Sequence, residues 1–235
     1  MVLDFTTTAM VRPDVLERTY RSFARNLGGV EFGKSTLHIN VDPLPNDAGG
    51  LKRMEEVAGK FFGQVHLWSP AVANFAAAVK WCWTQPQGAV FFHLEDDWEL
   101  MRPVHINQFA PPFLSGPAEL ACVNLRAYDF PEGDRRICLS PGLWRTSAAR
   151  AIAGRMVDDW NPEKQLRPKN WGGRANNSGG AAEGFYGQQY PGLPIIKDIG
   201  RAWMARAGVE KSESTGYFNT WKVHTKAGSY SAPVS

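Results

Sequence analysis

The chain has only three cysteines in 235 residues, Cys82, Cys122 and Cys138. They are widely spaced and form no C-x-x-C pair. That excludes a disulfide scaffold and a cysteine-based zinc site, and it fits a reducing compartment. No apolar stretch approaches the ~20 residues needed to cross a bilayer. The start, Met-Val-Leu-Asp-Phe-Thr, has no basic segment followed by an apolar run, so no signal peptide is expected there and a cytoplasmic location is. A Gly-rich phosphate loop and a nucleophile elbow are both missing. The five histidines (38, 66, 93, 105, 224) show no ligand spacing.

The chain is rich in aromatics, with nine Trp and 13 Phe. Such residues suit cores and also pockets that stack bases or sugars. Hydrophobic residues make up 43% and charged residues 21%, the balance of an ordinary globular protein. The length fits one domain, residues 1–235, without a sharp internal boundary. Charge is divided unevenly. Residues 1–100 sum to −3 and residues 101–235 to +6. A basic second half can attract a polyanion.

Periodicity organises the first hundred residues. Residues 1–8 read as a strand entering a Thr-rich loop. Pro13 sits where a helix begins, and Leu16, Tyr20, Phe23 and Leu27 repeat at helical spacing. Residues 36–41 read as a strand ending at Asp42-Pro43, and Leu51, Met54, Ala58 and Phe61 mark a second helix. Residues 64–68 read as a third strand, and Val72, Phe75, Val79 and Trp83 mark a third helix. Residues 89–94 (AVFFHL) form an apolar run of strand length, as in a sheet covered on both faces. The alternation β-α-β-α-β-α-β predicts an α/β fold with a doubly wound, mostly parallel sheet flanked by helices. Such sheets bind ligands beyond the C-terminal ends of their strands. Thr6–Thr8, Asp42 and Glu95–Asp97 are expected at those ends. Beyond residue 100 the pattern weakens. Residues 120–125 and 137–139 read as strands, 146–156 as a helix, 160–180 as a long loop, 181–190 as a short helix and 194–199 as a last strand.

Glu95, Asp96, Asp97 and Glu99 crowd four charges into five residues at the end of the apolar strand. A divalent cation would offset their repulsion, and hard cations prefer oxygen ligands. Mg²⁺ or Mn²⁺ commonly bridges carboxylates to a diphosphate and stabilises negative charge on a leaving nucleotide.

At this point the sequence resembles a known family. The string FFHLEDDW looks like the metal-binding DXD segment of GT-A-type glycosyltransferases, and TTTAMVRPDVLERTYRSF is similar to their opening. The likeness covers residues 1–100 well and the rest loosely. It implies a GT-A-like fold with a nucleotide-sugar-binding half (1–100) and an acceptor-binding half (101–235). It also implies a nucleotide-sugar co-substrate, UDP-linked in the leading expectation, and Mn²⁺ or Mg²⁺. By resemblance, Thr6, Thr7, Thr8, Arg12 and Asp42, with Glu95 and Asp96, would hold the nucleotide-sugar. Asp97, Glu95 and Asp198 would hold the metal, Asp198 standing where many relatives have His. Arg201 would neutralise the diphosphate. Residues 139–145 resemble the segment lining the sugar and acceptor pocket, giving Gly142, Trp144 and Arg145 to the acceptor. Glu183 is the expected base for an inverting transfer, with Asp158, Asp159 and Glu163 as rivals.

The acceptor is not named by the sequence. Lys164, Arg167, Lys169 and Arg174 beside Trp171 combine phosphate-binding charge with a stacking ring. Lys169, Trp171 and Arg174 are therefore expected to contact a nucleic acid, with a hydroxymethylated pyrimidine of phage-like DNA as the leading acceptor. A surface polysaccharide or a protein is the rival acceptor. Two other classes compete: a metal-dependent nucleotidyltransferase, and a non-catalytic sugar- or nucleic-acid-binding module. The loop at Thr6–Met10 lacks the Gly and Lys usual in nucleotidyltransferases.

Overall fold

A computed structural model describes residues 1–44, 49–125, 127, 135–169, 179–213 and 219–223, with side chains described up to residue 209. The elements in chain order are β1 (Asp4–Met10), α1 (Pro13–Asn26), β2 (Leu27–Gly28), β3 (Thr36–Asp42), α2 (Gly50–Gly59), β4 (Gln64–Trp68), α3 (Phe75–Thr84) and β5 (Val90–His93). Then come β6 (Trp98–Leu100), β7 (Val104–His105), α4 (Ala110–Ser115), β8 (Leu120–Asn124), β9 (Gly142–Arg145), α5 (Thr146–Arg155) and α6 (Pro162–Gln165). The last are β10 (Tyr186–Gln189), β11 (Ile196–Asp198), α7 (Gly200–Ala207), β12 (Val209–Glu213) and β13 (Asn219–Val223).

Seven strands form the main sheet in the order β10-β8-β9-β5-β1-β3-β4. All neighbours are parallel except β9, which runs against both β5 and β8. The mostly parallel α/β sheet expected from the sequence is therefore present. Six strands point their C-terminal ends to one edge, and that edge carries the site.

The apolar run explains the layering. In β5 all four residues are buried, and successive side chains face opposite sides. Phe92 joins Phe5 and Phe23 at ring separations of 5.5 and 5.9 Å under α1. Phe91 faces the other way, into a core with Trp83 of α3, Trp144 of β9 and Ile152 of α5. The Trp83 and Trp144 rings lie 4.3 Å apart. Burying each such ring contributes roughly 1.5–3 kcal/mol. Helix α1 buries Leu16, Tyr20 and Phe23, and α3 starts from Asn74, whose side chain accepts from the Ala77 N–H at 3.0 Å.

Four parts of the second half depart from expectation, the first being α6, Pro162–Gln165, within the span 160–180 read as a loop. Residues 186–189 form strand β10, not the tail of a helix, and only turns precede it. Residues 142–145 form the reversed strand β9, where an irregular pocket segment is expected. Residues 137–139 are not a strand, although Ile137 and Leu139 are buried. The final predicted strand is present as β11, paired antiparallel with β6 outside the main sheet.

Candidate active site

A cavity of about 680 Å³ opens at the C-terminal edge of β1, β3 and β5. Its walls bring Thr8, Arg12, Asn40, Asp42, Glu95, Asp96, Asp97, Asp198 and Arg201 together. These come from six separate elements and loops, and eight of the nine residues are ones the sequence reading names.

Arg12 organises the acidic cluster. Its Nε donates to Asp96 Oδ2 at 2.7 Å and its Nη2 to Asp96 Oδ1 at 2.5 Å. The Met10 N–H also donates to Asp96 Oδ2, and Thr19 Oγ1 donates to the Asp96 carbonyl. Arg12 and Asp96 are both almost fully buried. Burial would lower the Arg12 pKa, but Asp96 and Asp97 overcome it and hold the guanidinium above its ordinary value. Asp96 is thereby committed to a buried fork–fork pair. Nη2 of Arg12 also reaches Asp97 Oδ2 at 2.9 Å, which fixes Asp97 at the cavity wall.

Asp97 keeps an unusual proton affinity. Burial is the largest influence; with Asp96 and Asp198 nearby it outweighs Arg12, and the carboxyl titrates at about 6 instead of 3.8. Glu95 is raised too, first by burial and then by Asp97 and Glu163, although Trp98 Nε1 donates to its Oε2 at 2.9 Å. These are carboxylates whose charge the protein does not fully offset, the condition that favours a bound cation.

Asp198 ends β11. Its Oδ1 accepts from the Gly200 N–H at 2.8 Å and its Oδ2 pairs with Arg201 Nε at 3.1 Å. The chain passes so close to Asp97 here that a Cβ at position 200 would lie 2.1 Å from Asp97 Oδ2 and 2.7 Å from Arg12 Nη1. Only glycine fits.

The donor set suits a hard divalent ion, being oxygen throughout. Among the described residues, no three His, Cys, Asp or Glu side chains are grouped as a metal site. Asp97 and Asp198 fit the more open arrangement in which one or two carboxylates share the ion with substrate phosphates.

Thr6 and Thr8 share one face of β1, and Thr7 takes the other. Thr6 Oγ1 is paired with His93 Nδ1 at 2.9 Å, and Thr7 Oγ1 accepts from the Tyr20 hydroxyl at 3.1 Å. Both are fully buried and neither lines the cavity. Of the three, Thr8 lines it, being nearest the C-terminal end of β1.

Sequence reasoning missed Asn40. It lies opposite Thr8 in the β1–β3 register, two residues before Asp42 and on the same face. It is fully buried, yet neither Nδ2 nor Oδ1 has a partner, and Thr8 Oγ1 also lacks one. A polar residue inside the strand LHINVD was the available signal. Glu163, a rival to Glu183 in the sequence reading, lines this cavity and acts on Glu95.

Several expected residues lie elsewhere. Glu183 lines a second cavity of about 580 Å³, with Lys169, and does not line the first. Gly142, Trp144 and Arg145 line neither cavity. Gly142 lets β9 approach β8, where a Cβ would sit 2.6 Å from the Val123 carbonyl oxygen. Trp144 is core. Arg145 caps α4, its Nη2 donating to the carbonyls of Phe113 and Gly116 at 2.5 and 3.0 Å. The expected acceptor role of these three is corrected accordingly: backbone packing and capping occupy them. Trp171 and Arg174 lie outside the described residues.

No family model matches the chain, and no curated protein matches it. Solved structures do. S. aureus TarS is similar with a TM-score of 0.49 and 10% identity, over 83% of this chain and 36% of that one. The synthetase of CMP:2-keto-3-deoxy-manno-octonic acid, complexed with CTP, has a TM-score of 0.49 at 13% identity, over 88% and 99%. The mannosyltransferase PcManGT from Pyrobaculum calidifontis, in complex with GDP-Man and Mn²⁺, has a TM-score of 0.54 at 11% identity, over 88% and 62%. This chain thus spans 36% of the TarS chain and 62% of the mannosyltransferase chain. What the mannosyltransferase shares with it is the fold.

Proposed function

We propose that the protein is a metal-dependent glycosyltransferase that moves a sugar from a nucleoside-diphosphate sugar to a hydroxyl acceptor. The observation that carries this reading is Asp97. It is a strand-end carboxyl raised to about 6, beside Asp198 in a cavity that is also lined by Asn40, whose amide is unpaired. Asn40, Thr8 and Asp42 line the cavity together and would take the nucleobase edge. Asp97 and Asp198 would hold Mn²⁺ or Mg²⁺, with Glu95 beside them. That ion supplies neutralisation of the charge that develops on the departing nucleoside diphosphate. Arg201 would orient the diphosphate as a cationic donor.

The reaction forms a bond from the acceptor oxygen to the anomeric carbon and breaks the bond from that carbon to the diphosphate. A carboxylate receives the acceptor proton in an inverting transfer. Glu163 is the better placed acid, because it opens α6 at the cavity wall while Glu183 lies in the neighbouring cavity. The uneven charge of the chain supports a polyanionic acceptor, a hydroxymethylated pyrimidine of phage-like DNA being the leading one. A surface glycan or protein is the competing acceptor.

The test is calorimetric titration with UDP- and GDP-sugars, with and without Mn²⁺, followed by mass spectrometry of hydroxymethylated DNA and glycan acceptors. Metal-dependent binding and a sugar-sized mass gain are expected. Glu163→Gln should lower kcat by roughly 10²–10⁴-fold with donor affinity retained. Binding that ignores the metal, or release of pyrophosphate from CTP and a sugar acid in place of transfer, would refute the reading.

A further inference from the structure

The second cavity has a chemistry of its own. Among the described residues, Arg135, Arg136, Arg167 and Lys169 line it, against one acid, Glu183. Arg136 and Arg167 have partners within the chain, so the weight falls on Arg135 and Lys169, both exposed. Arg135 is held in place over the Tyr186 ring at 4.3 Å. A guanidinium fixed in that way loses little freedom when it meets a phosphate. The wall between them contains Phe185, whose ring has Arg155 at 5.7 Å and whose loop is tied by Arg155 Nη1 to the Glu183 carbonyl at 2.7 Å. Cations beside an aromatic ring make a site for a phosphate backbone with a base to stack.

The position adds direction. Glu163 lines the first cavity and Arg167, four residues on, lines the second. Four residues span at most ~14 Å. Residues 163–167 therefore connect the two cavities.

We propose that this second cavity binds the phosphodiester backbone of a single-stranded or locally unstacked DNA segment, seating the acceptor. The target base leaves its stack to reach the first cavity. The inference rests on the acceptor part of the reading above and not on the donor part.

The test measures anisotropy of a fluorescein-labelled single-stranded oligodeoxynucleotide of about 12 nucleotides, within the usual range of site sizes. The protein is the full chain, as wild type and as the Arg135→Ala, Lys169→Ala double variant, with its fold checked by circular dichroism. The variant should bind about tenfold more weakly, and the slope of log K against log salt should fall by about 1.4. Equal binding by both proteins overturns the site. Displacement of the oligonucleotide by inorganic polyphosphate at equal phosphate concentration overturns the nucleic-acid assignment. Titration of UDP- and GDP-sugars with Mn²⁺ into the same two proteins separates the readings. If no nucleotide-sugar binds while the oligonucleotide still distinguishes the variants, the transferase reading fails and this one stands.

Discussion

Arg12 holds Asp96 by two hydrogen bonds and Asp97 by a third, so one guanidinium spans two adjacent carboxylates of different character. Asp96 is sealed in protein, whereas Asp97 faces the cavity. Arg12→Met leaves Asp96 buried without its partner and should cost about 3–5 kcal/mol in urea unfolding. Adding Asp96→Leu should recover much of that loss, because it removes the stranded charge. A double variant no more stable than the single one would refute the strut.

Gly200 has a steric reason to be glycine. An added methyl group must displace Asp97 or Arg12. Gly200→Ala should destabilise by roughly 1–3 kcal/mol, the usual cost of overpacking. It should also weaken Mn²⁺-dependent nucleotide-sugar binding in calorimetry. Unchanged affinity and unchanged stability together would show that the α7 start is free to move.

Asn40 offers a trade between stability and binding. Its buried amide lacks partners, a condition that costs about 1–3 kcal/mol for each unsatisfied group. Asn40→Leu should therefore raise the unfolding free energy by about 1 kcal/mol or more. It should also reduce nucleotide affinity and blunt the preference among uridine, cytidine and guanosine diphosphates. Calorimetry with the three nucleotides reads both effects. Retained discrimination would remove Asn40 from base reading.

His93 makes a pH prediction. It is fully buried between Thr6 and Trp83, and burial pushes its pKa from 6.5 down to about 3. Below pH about 6.5 the unfolded chain gains a proton that the folded chain refuses, so the contribution present at neutral pH is lost on acidification. His93→Gln should flatten the stability profile between about pH 6 and pH 4 by up to ~1.4 kcal/mol per pH unit. A constant stability difference between wild type and variant over that range would mean that His93 is not held neutral.

The first hundred residues were readable because their signals are local. Leu16, Tyr20 and Phe23 at helical spacing and the run AVFFHL identify α1 and β5 without reference to other segments. The strand-end acids followed from that reading, as did the placement of Asp42. The second half was harder. Strand β10 was read as the end of a helix because its partner, β8, lies more than 60 residues earlier in the chain. Strand β9 was not seen as a strand because its support is two flanking strands running the other way.

By itself, the sequence determined the α/β class, the order of the first four main-sheet strands and the acidic edge where β5 ends. Residue type and period suffice for these, since each element buries its own apolar face. Tertiary structure decided what the acids do. It sealed Asp96 against Arg12, raised Asp97 by burial, turned Thr6 and Thr7 inward and left Thr8 and Asn40 facing the cavity. It also set Glu163 at that cavity and Glu183 at the other. The reason is that a side chain's charge state and free hydrogen-bonding capacity depend on neighbours distant in sequence, and no local pattern encodes those neighbours.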